Sequence, residues 1–452
     1  MPIIKKKQKQ LKPARVLTLS LMGIIVVGTL LLCLPVSSKS REWTDLLDSF
    51  FTAVSATSVT GIALFDTFAH WSVLGQVVIL LMMQIGGLGL ITIVTFFNFA
   101  VGRRMGLIKA SAAAGEVSVT GFVGSKRLFI RIITYTLGIE LAGAALLCLT
   151  FIPEYGGYGV FMAIFMAVSS FCNAGFDVMT AGGNAEGLNA YSDKPQVLVV
   201  MAMLIFLGGI GFVVWDNLAN YHKTKRLFMH TKLVLAFSGI MLLVGFAAYF
   251  IVCLVEGDKY GDMSLGEKLL SSAFSSFSAR TAGFSVADLP YANDFSRLAT
   301  IMLMFVGAAP GSTAGGIKVT TLAILTATVM AVIRGKEDAS IYGHRIPKRL
   351  VYKSVTVLAL SIGFIMISFA SIYLLIPDTP ELSILYEVIS AFTTTGFSTG
   401  VSAAGGVAVK LIICLTMFVG RVGPVSLLLS LTADKSGEGK HKVMPDCEIL
   451  IG

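Results

Sequence analysis

Long apolar runs alternate with short polar ones along the whole chain. Eight apolar runs, roughly 16–36, 73–100, 128–152, 196–219, 232–255, 298–333, 350–376 and 407–432, are long enough to predict membrane-crossing helices, which need about 20 mostly apolar residues. The runs fall into four pairs. Between the two runs of each pair lies a shorter, semi-apolar segment: DLLDSFFTAVSATSVTGIALFD, GVFMAIFMAVSSFCNAGFDV, GEKLLSSAFSSFSARTAGFSV and LSILYEVISAFTTTGFST. None is long enough to cross. Each predicts a re-entrant helix of about 10–14 residues followed by an extended strand. Non-helical backbone at membrane depth survives only where it is buried in protein or lines water.

Composition agrees. The chain has 452 residues, 55% hydrophobic and only 13% charged, against about 25% charged in soluble domains. Six basic residues precede the first run, as in a secretory signal. The run itself is too long for one, and Pro35-Val36-Ser37-Ser38 is a poor cleavage site, so a retained span is expected. The net charge of +9 is unevenly spread: 25 of the 35 Lys and Arg lie at the N-terminus, in 103–131, 223–232 and 334–353, and in the tail after 434. The positive-inside rule then puts both termini in the cytosol. The basic charge reads as a topology signal, with attraction to anionic lipid second and nucleic acid excluded. Cys33, Cys148, Cys253 and Cys414 sit in apolar runs and show no metal-ligand spacing, so no structural metal is expected.

The four short segments align on one glycine each: Gly61, Gly175, Gly283 and Gly396. Ser55, Ser169, Phe277 and Ser390 stand six residues earlier. A second landmark follows in each unit, reading GGLG from Gly86, GGIG from Gly208, GAAPG from Gly307 and GRVGP from Gly420. With both termini on one side the units are parallel repeats. The expected fold is an all-α polytopic membrane protein, four parallel M1–pore-helix–M2 repeats with pseudo-fourfold symmetry around a central pore. The repeats divide the chain at 1–100, 101–222, 223–335 and 336–452.

A naked monovalent cation needs a ring of oxygens in place of its water, and main-chain carbonyls can supply one. Glycine tolerates the backbone angles this requires, and the C-terminal end of each short helix adds partial negative charge. The candidate filter strands are Ser58-Val59-Thr60-Gly61, Cys172-Asn173-Ala174-Gly175, Arg280-Thr281-Ala282-Gly283 and Thr393-Thr394-Thr395-Gly396. None carries an acid, which disfavours divalent ions.

The stretch from Gly307 to Lys318 looks like a phosphate-binding loop. Ile317 intrudes before Lys318, Val319 replaces the required hydroxyl, and apolar runs flank it where a soluble strand and helix should lie. It reads instead as a break in a span: Gly307, Ala308, Ala309, Pro310, Gly311, Ser312, Thr313, Ala314, Gly315 and Gly316. This break spans 307–317.

These motifs, SVTG, NAGF, RTAGF and TTGF together with GAAPGSTAGGIK, resemble the Trk/Ktr/HKT superfamily of potassium transporters over the whole chain. Within it, the chain looks like the membrane subunits KtrB and KtrD of bacterial Ktr systems. The resemblance implies a K⁺-translocating homodimer in a bacterial plasma membrane. It would be seated on a cytosolic ring of nucleotide-binding regulatory subunits of the KtrA/KtrC kind. It also implies that 307–317 is an intramembrane gating loop and that glycine at all four aligned positions goes with K⁺. K⁺ is then the transported ion, Na⁺ a candidate activator, and no cofactor belongs to this chain.

Three charges lie in or near these motifs. Arg421, mid-run in the fourth unit, is expected to bond loop carbonyls or hydroxyls such as Ser312 and Thr313. Lys318 is expected to join the loop or to reach toward the cytosol. Arg280 is expected to point away from the axis toward an acid, Glu387 or Glu140. The alternative function is a cation-coupled secondary transporter (Na⁺/K⁺ or H⁺/K⁺ symport), a class that also uses broken helices and repeats. No constellation suits an enzyme.

Overall fold

The computed structural model describes residues 13–88, 126–181 and 187–431. In chain order the principal helices are α1 (Pro13–Cys33), α2 (Leu46–Ser58), α3 (Val73–Gly87), α4 (Lys126–Tyr155), α5 (Gly157–Cys172), α6 (Pro195–Gly209) and α7 (Phe212–Ala219). Then come α8 (Met229–Val255), α9 (Leu265–Ser278), α10 (Asp294–Phe305), α11 (Val319–Ile333), α12 (Lys348–Leu375), α13 (Glu381–Thr393), α14 (Val407–Val422) and α15 (Pro424–Leu431). The only strands among the described residues form a small hairpin, β1 (Ser340–Ile341) with β2 (His344–Arg345). Residues 1–12, 89–125 (most of the loop around 102–127), 182–186 and 432–452 lie outside the described residues.

α8, α12 and residues 130–155 of α4 are each long and apolar enough to cross a bilayer. Their outward faces leave large aliphatic side chains exposed, among them Leu141, Leu243 and Leu374, as lipid-facing helices do. The second runs of the pairs are less regular than the sequence suggests. The run 196–219 is two helices, α6 and α7, meeting at 98°. Gly211 at the bend has φ +88, a conformation open to glycine. The run 407–432 also breaks, at Gly423 (φ +83) and Pro424, where proline cannot continue the hydrogen-bond ladder. The break between α10 and α11 is the expected one.

α2, α5, α9 and α13 are the short helices, of 13, 16, 14 and 13 residues. α5 is longer than expected because it starts directly from α4, turning at Gly156 (φ +56). The Asp45 carboxylate accepts the Leu47 N–H at 2.8 Å, and Ser264 with Glu267 forms a capping box on α9; such caps contribute about 1 kcal/mol each. Asp48, Glu267 and Glu381 occupy first turns, where negative charge complements the helix dipole. The inner halves of these helices are rich in small buried residues, such as Ala53, Ser55, Ala56 and Thr57 of α2. Small side chains let helices approach closely without a hydrophobic driving force.

The packing of the short helices closes on itself. Besides its own flanking helices, α5 touches α3, α9 touches α6, α13 touches α10, and α2 touches α14 from the far end of the chain. That last joint carries an ion pair, Lys410 Nζ to Asp48 Oδ1 at 2.6 Å, with both side chains 17% exposed.

Candidate functional site

The strands after the short helices begin where the backbone reverses hand. Val59, Asn173 and Thr394 cap α2, α5 and α13 in the left-handed conformation (φ 59, 57 and 53). Thr281 adopts the same hand (φ 77) beyond α9. Two residues later Gly61, Gly175, Gly283 and Gly396 are again left-handed, at φ 88, 74, 76 and 102. A left-handed residue at every second position permits successive carbonyls to face one side, which an ordinary pleated strand does not.

The four glycines meet. A Cβ on Gly61 would overlap the Ala174 carbonyl oxygen, and one on Gly175 would lie 2.8 Å from the Ala282 oxygen. One on Gly283 would overlap the Thr395 oxygen, and one on Gly396 the Thr60 oxygen. Each glycine thus leans on the carbonyl just before the next unit's glycine, and the fourth leans on the first. All sixteen expected filter positions belong to these four converging segments.

Serines hold the strands from behind. Ser55 Oγ and Ser390 Oγ accept the N–H groups of Gly61 and Gly396, each at 3.1 Å. The hydroxyls of Ser169 and Ser278 donate to the carbonyls of Phe176 and Phe284, each at 2.6 Å. In the third unit Ser278, one residue past the aligned Phe277, does the bonding. α9 ends in a right-handed cap at Ala279, and its strand is offset by one residue. Strand hydroxyls also pair among themselves: Ser58 with Thr60 at 2.6 Å and Thr393 with Thr395 at 2.8 Å.

The second landmark has a physical reason that the sequence did not disclose. A Cβ on Gly86, Gly208 or Gly420 would overlap the carbonyl oxygen of Thr57, Phe171 or Phe392. Each of those carbonyls lies four residues before the strand glycine of the same unit. The landmark glycines let the inner helices press against the C-terminal ends of the short helices. In the third unit Gly307 instead faces the Gly315 carbonyl.

The segment 307–317 folds back on itself, with Val306 bridging Ile317 and Val319 N–H donating to Ala308 O at 3.2 Å. It docks on the bend of the second unit through Ala309 N–H to Gly209 O (3.1 Å), Thr313 N–H to Gly208 O (3.3 Å) and Phe212 N–H to Gly311 O (3.0 Å). The Thr313 hydroxyl donates to Phe171 O at 3.2 Å. A Cβ on Gly315 would overlap Thr394 Oγ1, so the loop also lies against the fourth strand. Arg421 donates to the carbonyls of Thr313 and Gly86, joining the loop to the end of α3. The loop contact was expected and the Gly86 contact was not. Lys318 Nζ donates to Ala314 O at 2.7 Å and belongs to the loop rather than reaching for the cytosol.

Arg280 corrects the sequence reading. Its side chain donates to Ser238 Oγ at 3.2 Å, and neither Glu387 nor Glu140 pairs with it. Glu140 accepts from Gln84 at 3.1 Å and lies behind Cys172. Glu387 is fully buried and surrounded by hydroxyl and N–H donors from 398–402. A buried acid followed by the hydroxyl-rich stretch Ser398-Thr399-Gly400-Val401-Ser402 was the signal available for it.

Residues 15–438 match a family of proteins described as TrkH, cation transport protein. The chain is 33% identical to the potassium/sodium uptake protein NtpJ of Enterococcus hirae, with all of both chains covered. It is 33% identical to the Ktr system potassium uptake protein B of Bacillus subtilis, covering 97% of each, and 30% identical to protein D of the same system and organism, covering 98% of each. Its fold resembles the crystal structure of the potassium transporter TrkH from Vibrio parahaemolyticus. The TM-score is 0.71 at 17% identity, over 95% of this chain and 86% of the other.

Proposed function

The chain belongs to the TrkH cation transport family, and from that membership we propose that it is the K⁺-translocating membrane subunit of a Ktr-type uptake system. It is a transporter and not an enzyme. The four units are M1–pore-helix–M2 repeats around one pseudo-fourfold axis, and their strands form a carbonyl filter at Gly61, Gly175, Gly283 and Gly396. The observation that carries this reading is the cyclic approach of the four glycines, each against the carbonyl that precedes the next. Their alternating backbone hand supports carbonyls facing the axis. The short helices aim their negative ends at the same place, which favours a cation.

Residues 307–317 form the gate. The loop lies under the fourth strand and is bonded to the second unit, and Arg421 ties it to the first and fourth. Moving it changes contacts in every unit. Two of the relatives are named as parts of a Ktr system, which supports a membrane subunit that works with partners; on the family resemblance the chain is a homodimer in the bacterial membrane whose cytosolic nucleotide-binding partner moves the loop. The basic cytosolic segments are the partner surface.

The test is rescue of a K⁺-uptake-deficient bacterium at low K⁺. Wild type restores growth and Gly283→Ser does not. Growth supported equally by both would end the filter reading. A relative named for both K⁺ and Na⁺ makes Na⁺ flux the necessary second measurement.

A further inference from the structure

The fourth strand has a brace that the other three lack. Glu387 lies on α13, nine residues before Gly396, and is 0% exposed. Five donors converge on its carboxylate. They are the Ser398 hydroxyl at 2.8 Å, the Thr399 N–H at 2.6 Å and hydroxyl at 3.1 Å, and the Ser402 N–H at 3.2 Å and hydroxyl at 2.6 Å. All five are neutral, and all come from the few residues that follow Gly396. The corresponding positions in the first three units hold Thr52, Met166 and, with the one-residue offset of α9, Ser275, none of them a carboxylate. Both carboxyl oxygens accept from this segment, and the bonds hold it inward against α13. On its inner side Gly396 is already tied to α13 through Ser390. The glycine is therefore held between two anchors on one helix. The Tyr291 hydroxyl, from the third unit, accepts the Ser398 N–H at 3.1 Å and adds a third tie.

We propose that Glu387 is a positioning residue for ion selection, fixing where the carbonyls of the fourth strand stand relative to the other three. This rests on the filter reading above. K⁺ and Na⁺ differ in the oxygen cage they prefer, and a cage whose carbonyls are held apart discriminates between them. With the brace loosened, the fourth strand closes on the smaller ion, and selection falls while the fold stays. Glu387→Gln is the sharp variant. It keeps the volume, but its amide turns a donor toward groups that are donors themselves.

The experiment measures the K⁺/Na⁺ permeability ratio of the purified full-length chain in liposomes, alongside its elution profile and thermal midpoint. Glu387→Gln lowers the ratio by about threefold or more, the size of one lost net hydrogen bond, with the elution profile unchanged. Ser402→Ala, which removes one donor and keeps the carboxyl group, lowers it less and in the same direction. Gly396→Ser serves as the control on the filter. If the glycine variant shifts the ratio and neither brace variant does, the role of Glu387 is overturned and the filter stands. If none of the three shifts it, the filter reading fails and this proposal with it. Should Glu387→Gln not fold, Ser402→Ala decides: an unchanged ratio there overturns the proposal.

Discussion

The glycine ring and the loop beneath it are both irregular backbone at membrane depth, yet they are held in opposite ways. The ring is held by repetition. Four strands lean on one another through main-chain oxygens, and each is fastened to its own helix by a serine. Apart from the Tyr291 hydroxyl that accepts the Ser398 N–H, the fastenings of each strand come from its own unit. The loop occurs once. It depends on foreign partners: the bend of the second unit, the Arg421 guanidinium from the fourth and, through it, the end of α3. A structure braced symmetrically is hard to move in part. One held by a few polar contacts, each worth about 1–3 kcal/mol, can be released. On the proposed reading, the difference separates a part suited to selecting ions from a part suited to switching.

The strongest way to break this comparison is to spoil one strand. Gly283→Ser would overlap the Thr395 carbonyl and adds about 1–2 kcal/mol of left-handed backbone strain. K⁺ uptake by cells carrying it is expected to fall more than about tenfold. Next is removal of the loop. Deleting Ala309–Gly315 is expected to raise K⁺ flux in liposomes roughly tenfold without a partner, as a shift from a mostly closed population. Flux that stays low would mean the loop does not obstruct the path. Arg421→Gln sharpens the point, since it releases the loop while leaving its backbone intact. Two charge-assisted bonds are lost, each about 1.5–3 kcal/mol, and partner-free flux is expected to rise severalfold with a lower thermal midpoint. The smallest effect belongs to a strand fastening. Ser55→Ala removes the acceptor of the Gly61 N–H and is expected to cost about 1 kcal/mol of stability, seen in thermal unfolding, with flux nearly unchanged because three strands remain fastened.

Much of the ring was legible because it is written four times. One glycine in a loop says little; Gly61, Gly175, Gly283 and Gly396 in phase say where the chain must converge. The same redundancy hid the offset in the third unit. An alignment that forces equal spacing reads Phe277 where Ser278 does the bonding, since a one-residue slip at the end of a helix leaves no trace in composition. The bend at Gly211 was visible as GGIG and was taken only as a landmark, because a glycine pair does not announce its φ angles. The partners of Arg280 were out of reach for another reason. Sequence places charges along a helix, but which acid faces which base depends on how helices rotate about their axes. Glu387 turned toward its own outer segment and left Arg280 to a serine.

The joint between α2 and α14, fastened by Asp48 and Lys410, bears on how the protein is made. Every other joint of the circle unites neighbours in the order of synthesis; this one unites the beginning of the chain with nearly its end. A nascent chain that has inserted only three units has an open wall where α14 belongs, and its third strand has nothing to lean on. On the proposed reading the circle of carbonyls is complete only once α14 has been made and has met α2.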